Sequence, residues 1–308
     1  MGSTHNNKSK EYFEVKGGKT LKGTISVNGA KNFALKALAT SILFKEKVII
    51  KNLPQIEDVF RTIELLEHLG LQTKIKDKTI TVNSKNITGT ALDKSIAKQI
   101  RASIILAGPI LARECKVTLP HPGGCVIGKR PIDLFLNGWK AMGAKVKRTK
   151  KGYTLNTNGL KGCEFTFPHI SVTATETLMM TAILAHGKTI LKNSAREPEI
   201  PALAEALNKV GANNKGAGSS TIEITGTGGK LLNSGTIKVI PDRIEAGTFL
   251  ILGALLGNPI KIKNCNPNHL EVPIATLQNA NIPITQGEDW IKVSRPKKIK
   301  SVDMQTRE

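Results

Sequence analysis

A chain of 308 residues is long enough for two domains of ordinary size, and 40% hydrophobic with 22% charged residues is the composition of a soluble globular protein. No apolar run has the length of a membrane span, and Met1-Gly2-Ser3-Thr4-His5 is no signal peptide, so a cytoplasmic, membrane-free protein is expected. The formal charge of +21 asks for an anionic partner, yet aromatic content of 4% and dispersed lysines argue against nucleic acid, and four scattered cysteines without a CxxC pair argue against a disulfide framework or a metal site.

In chain order, a first strand ends at Asn28-Gly29-Ala30-Lys31-Asn32, where an apolar helix running from Phe33 to Phe44 opens. Asn32 as a cap and Lys31 as a solvated charge is one reading. The order strand, Gly, Lys, helix is also that of a phosphate cradle, although no Walker sequence is present. A strand at Val48-Ile49-Ile50, an amphipathic helix through Ile63 to His68 and the alternating Lys74-Ile75-Lys76 follow. The same order recurs. Apolar helices are predicted from Ala102 to Ala112, Thr175 to Ala185 and Ile244 to Leu256. Short strands follow at Lys116-Val117-Thr118, Thr189-Ile190-Leu191 and Ile260-Lys261-Ile262. Each amphipathic helix ends on glycine or asparagine: Leu69-Gly70, Met142-Gly143-Ala144, Val210-Gly211-Ala212 and Ala280-Asn281.

The repeat thus reads strand, buried helix, strand, amphipathic helix, strand pair, and four copies are visible. Lys31, Arg101, Ser171 and Arg243 fall at equivalent strand-to-helix junctions, 70, 70 and 72 residues apart. Free N–H groups at helix starts attract anions, so the repetition predicts a shared phosphate-binding centre.

Within the second copy, between its short strand and its amphipathic helix, lies Pro122-Gly123-Gly124-Cys125-Val126-Ile127-Gly128-Lys129-Arg130-Pro131-Ile132-Asp133-Leu134. Glycines around a thiol describe a loop that bends, and nearby cations favour a thiolate. A cysteine in a glycine-rich loop is as readily structural, and the loop alone does not decide.

Together with Ile100-Arg101-Ala102-Ser103, Ala195-Arg196-Glu197-Pro198-Glu199-Ile200, Pro241-Asp242-Arg243-Ile244-Glu245 and Gly287-Glu288-Asp289-Trp290-Ile291, these motifs make a chain that resembles the UDP-N-acetylglucosamine 1-carboxyvinyltransferase family of enolpyruvyl transferases, from about Leu21 onward. The resemblance implies an α+β fold of pseudo-threefold βαβαββ repeats, an inside-out α/β barrel. It implies a complete three-repeat domain over residues 31–240. Residues 11–30 with 241–308 would form a second, incomplete domain lacking two repeats.

It also implies transfer of the enolpyruvyl group of phosphoenolpyruvate to the 3′-hydroxyl of UDP-N-acetylglucosamine, without a cofactor, by a monomer in peptidoglycan precursor synthesis. Cys125 is then the proton donor; Lys31, Asn32 and Arg130 face phosphoenolpyruvate; Arg101, Arg130, Pro131, Ile132, Asp133, Leu134, His169, Ser171 and Val172 face the UDP-sugar; Glu197 and Arg243 support them. His169 replaces a lysine common in the family, and Phe135 a frequent histidine. The resemblance puts a catalytic aspartate and a further arginine beyond Glu308, which implies little turnover for this chain alone and poor solubility. The competing expectations are a shikimate-type synthase, disfavoured by the Cys125 loop and the segment from Arg130 to Leu134, and a non-catalytic basic protein binding nucleotide or nucleic acid.

Overall fold

The computed structural model describes residues 12–121 and 131–304. The first unit comprises β1 (Leu21–Ser26), α1 (Lys31–Thr40), β2 (Lys47–Lys51), α2 (Glu57–His68), β3 (Gln72–Lys76) and β4 (Thr79–Asn83). The second has a short α3 (Lys94–Ala97), then α4 (Ser103–Glu114), β5 (Lys116–Pro120), α5 (Asp133–Ala141), β6 (Lys145–Thr149) and β7 (Gly152–Asn156). The third follows as β8 (Glu164–Thr166), α6 (Val172–Ala182), β9 (Lys188–Lys192), α7 (Glu199–Asn208), β10 (Asn214–Lys215) and β11 (Thr221–Thr225). After β12 (Gly235–Lys238) come α8 (Arg243–Leu256), β13 (Gly257–Lys263), α9 (Glu271–Asn279), β14 (Ile284–Gln286) and β15 (Trp290–Val293).

The first helix of each unit is apolar nearly all round, which only burial accommodates. Phe33 to Thr40 of α1, Ser103 to Leu111 of α4 and Ala174 to Ala182 of α6 are buried throughout. The second helices are amphipathic. In α2, Val59, Ile63 and Leu66 face inward, while Arg61 pairs with Glu57 on the outside. The expected left-handed helix ends are present, with φ of 93° at Gly70, 91° at Gly143, 109° at Gly211 and 66° at Asn281. The helix from Thr175 to Ala185 expected from composition begins three residues earlier, because Ser171 caps it at Val172.

Each sheet joins a parallel pair to an antiparallel hairpin: β8 beside β9, then β11 and β10; β1 beside β13, then β15 and β14. In the second unit the leading strand is reduced to a bridge between Ala91 and Thr118. The first unit contains an exchange. β1 leads into α1 but pairs with β13, whereas β12 leads into α8 but pairs with β2. Two hydrophobic clusters result, one drawn from Ala30 to Val239, the other from Val27 and Ala246 to Val293. Unlike its three counterparts, α8 leaves Ile244, Ile251 and Leu255 about half exposed.

Candidate functional site

The chain passes between the two clusters twice, at 27–30 and 239–242, and the passes lie against each other. Gly29 bridges Pro241, the Ala30 N–H donates to the Ile240 carbonyl at 2.8 Å, and the Asp242 N–H donates to the Asn28 carbonyl at 2.9 Å. A Cβ on Gly29 would lie 1.9 Å from the Asn52 carbonyl oxygen. The glycine of the strand–Gly–Lys–helix motif therefore answers to this crossing of backbones.

Asp242 closes two helices. Its Oδ1 accepts from the Ile244 and Glu245 N–H groups of α8 at 2.8 and 3.0 Å, and its Oδ2 accepts from the Lys31 N–H of α1 at 3.1 Å. Glu245 accepts from the Asn28 N–H at 2.8 Å and its Nδ2 at 3.1 Å, while Lys78 Nζ donates to Asn28 Oδ1 at 2.9 Å. These groups, with Pro54, Gln55 and Ile56, line a cleft of about 300 Å³ at the start of α1. Lys31 Nζ rests 3.3 Å from Asp58 Oδ2, both half exposed. Such a pair is worth under about 1 kcal/mol, so an anionic ligand can displace it. Asn32 is not the helix cap: Ala30 is, without a side-chain bond, and half-buried Asn32 has no hydrogen-bonding side-chain partner among the described residues.

The four repeated helix starts differ in their local partners. Ser171 spends its hydroxyl accepting from the Ala174 N–H at 3.3 Å. Arg243 turns to α7, its Nε 3.1 Å from Oε1 of buried Glu199. Arg101 lies half buried in the turn just before α4. Of the four starts, that of α1 brings its cation, Lys31, to the cleft, where Lys78 joins it from the β3–β4 turn.

Residues 131–134 start α5. Ile132 and Leu134 turn into the core, while Pro131 and Asp133 remain exposed. Phe135 is buried 6.1 Å from Trp139, so the aromatic in place of the family's histidine serves packing. Against α6, Trp139 Nε1 donates to Thr181 Oγ1 at 3.2 Å. His169 is exposed just before the capped start of α6, and Val172 is half buried as its first residue. Glu197 is half buried with Oε2 unpartnered among the described residues.

Cys125 and Arg130 lie outside the described residues. Burial raises the Cys163 thiol, and burial together with Asp289 pushes Cys265 up to about 11, so neither favours a thiolate. Gln55 and Lys78 escaped sequence reasoning. Lys78 reaches the cleft from the β3–β4 turn, where Asp77 has φ of 52°, and no motif marks it. Among the described residues there is no cluster of three metal-ligating side chains, and no helix is long and apolar enough to cross a membrane.

Residues 15–307 match the family model described as EPSP synthase (3-phosphoshikimate 1-carboxyvinyltransferase). A relative in Campylobacter lari named UDP-N-acetylglucosamine 1-carboxyvinyltransferase is 42% identical over 299 residues, covering 96% of this chain and 71% of the relative. One in Carboxydothermus hydrogenoformans, named UDP-N-acetylglucosamine 1-carboxyvinyltransferase 1, is also 42% identical, over 96% of this chain and 70% of its own. The solved enolpyruvyl transferase NikO of Streptomyces tendae superposes with a TM-score of 0.82 at 21% identity, over 92% of this chain and 68% of that one. EPSP synthase of Acinetobacter baumannii gives 0.75 at 18%, over 94% and 68%, and these two likenesses show the fold. The chain therefore belongs to the EPSP synthase-like enolpyruvyl transferase family, among relatives named UDP-N-acetylglucosamine 1-carboxyvinyltransferase.

Proposed function

We propose that this chain carries out enolpyruvyl transfer from phosphoenolpyruvate to the 3′-hydroxyl of UDP-N-acetylglucosamine, the first committed step of peptidoglycan precursor synthesis. The observation that carries this reading is the 42% identity, across 96% of the chain, to relatives named for that reaction. The named acceptor also separates it from shikimate-type transfer.

In the reaction the sugar hydroxyl bonds to C2 of phosphoenolpyruvate while C3 takes a proton. The hydroxyl's proton passes to a base or to solvent, and the tetrahedral intermediate then loses a proton from C3 as it expels phosphate, which restores the double bond. Charge gathers on carboxylate and phosphate throughout, so fixed cations at those groups are the physical requirement. Lys31, at the opening of the cleft and held only by an exposed ion pair, is suited to meet them together with Arg130. Asn32 stands beside it, its amide without a side-chain partner among the described residues. Cys125 gives the proton to C3, a role a thiol fills because its pKa can be brought near neutrality. Arg101, Pro131 to Leu134, His169, Ser171 and Val172 form the UDP-sugar side, with Glu197 and Arg243 in support. Because Ile132 and Leu134 point into the core, their part is through the backbone.

The two hydrophobic clusters support a division into one domain over 31–240 and another from 11–30 with 241–308. A cytoplasmic monomer without a cofactor completes the proposal. Calorimetric titration with UDP-N-acetylglucosamine, followed by phosphate release from phosphoenolpyruvate, tests it. Acceptor binding is expected, with phosphate release slow and abolished in Cys125→Ala; binding of shikimate 3-phosphate in place of the UDP-sugar overturns the reading.

A further inference from the structure

Lys36 of α1 and Glu176 of α6 meet at 2.8 Å with only 4% and 0% of their side chains exposed. Neither belongs to the candidate site. Each lies five residues beyond a repeated junction, Lys36 after Lys31 and Glu176 after Ser171, and the corresponding residue after Arg101 is buried Leu106. One repeat position, in three buried helices, thus holds Lys, Leu and Glu.

A buried ion pair is a weak stabiliser, because removing both charges from water costs about what their attraction returns, and apolar substitutes of like volume pack as well or better. Leu35 and Ala37 flank Lys36, Thr175 and Thr177 flank Glu176, and the equivalent position of α4 is filled by Leu106, so an apolar side chain can pack at this repeat position. What the pair adds is intolerance of error. If α1 slipped along α6, an unpaired ammonium and an unpaired carboxylate would each face hydrocarbon. The register of α4 on α6 has another guardian: a Cβ on Gly108 would lie 2.2 Å from Thr181 Oγ1, so those helices are keyed by close approach. No glycine occurs in α1 to do the same.

We propose that Lys36 and Glu176 are positioning residues, whose ion pair sets the register of α1 against α6 and so the spacing of Lys31 and Asn32 from Ser171 and Val172. This rests on the functional reading above, in which those two groups hold the two substrates. The pair touches neither substrate and acts through the helices that carry them.

The test uses the full chain with Lys36→Met and Glu176→Leu combined, and the swap Lys36→Glu with Glu176→Lys. The apolar double variant is expected to melt no lower than wild type and to bind each substrate alone as wild type does. In the wild type each substrate is expected to tighten the binding of the other; in this variant that mutual enhancement should fall by about tenfold, and its crystal structure should show α1 displaced along α6 by about 1.5 Å, one helical rise. The swap should recover the enhancement. An apolar variant with wild-type register and undiminished enhancement overturns the proposal. If the apolar variant does not fold, a folded swap without recovery overturns it equally. Wild type that binds neither substrate refutes the functional reading instead, and the crystallographic register then decides the pair's role by itself.

Discussion

At Asp242 one carboxylate accepts from three backbone N–H groups on two helices. Removing a cap of this kind costs about 1–2 kcal/mol per helix end. Asp242→Ala is therefore expected to lower the urea-unfolding free energy by about 2 kcal/mol, with Asp242→Asn losing less because its amide oxygen still accepts. Lys31 is the opposite case, since its side chain supports the fold only through an exposed pair with Asp58. Lys31→Ala should leave the melting temperature nearly unchanged and weaken phosphoenolpyruvate binding at least about tenfold, the loss of one charge-assisted contact. Calorimetry on both variants separates the two roles. Lys31 and Asp242 stand in motifs that a reader of the sequence can find. Lys78 and Gln55 do not, because what brings them to the cleft is a hairpin turn packed against a chain crossing.

Among the elements, the buried helices were the most legible, since uninterrupted apolar stretches repeated at a fixed interval leave few alternatives. Their starts were less so: Arg101 precedes α4 and Ser171 is a cap, because capping chemistry, not the repeat interval, decides where helical hydrogen bonding begins. The α4–α6 contact has no margin at Gly108, and Gly108→Ala should destabilise by about 1–3 kcal/mol through overpacking against Thr181. Between α1 and α6, burial drives the Glu176 pKa from 4.5 to about 7, against the opposing pull of Lys36 and with added repulsion from Glu199 and Glu197. A carboxyl whose pKa is raised by folding is bound more tightly to its proton in the folded chain. Its contribution is thus full below about 4.5 and is lost as pH rises through about 7. Urea unfolding from pH 5 to 8 should show stability declining across that window, and Glu176→Gln should flatten the decline.

For the whole molecule, composition and repeats point to an α+β chain of four like units, and the family motifs point to its chemistry. Periodicity does not reveal the exchange of β1 and β12 between sheets; the grouping of residues 11–30 with 241–308 came from the family resemblance alone. Pairing partners 187 residues apart for β12 and β2, and 236 or more for β1 and β13, leave no local trace. Between the two hydrophobic clusters runs the Arg243–Glu199 pair, its carboxylate buried and its guanidinium partly exposed. Arg243→Ala leaves Glu199 in a buried position without that partner, and should cost about 3 kcal/mol. If the pair helps the clusters unfold together, calorimetric melting of the variant should broaden or split into two transitions.

The exchanged strands also bear on synthesis. β1 is made long before its partner β13, which follows only after residue 256. At about 5–20 residues per second, the ribosome leaves that strand without its neighbour for more than ten seconds. Meanwhile the units that follow can gather around α1, α4 and α6. The first sheet waits as well, until β12 arrives beside β2. Two early strands are thus held open for late arrivals, and a nascent chain stalled between β11 and β12 would present both edges to any passing strand.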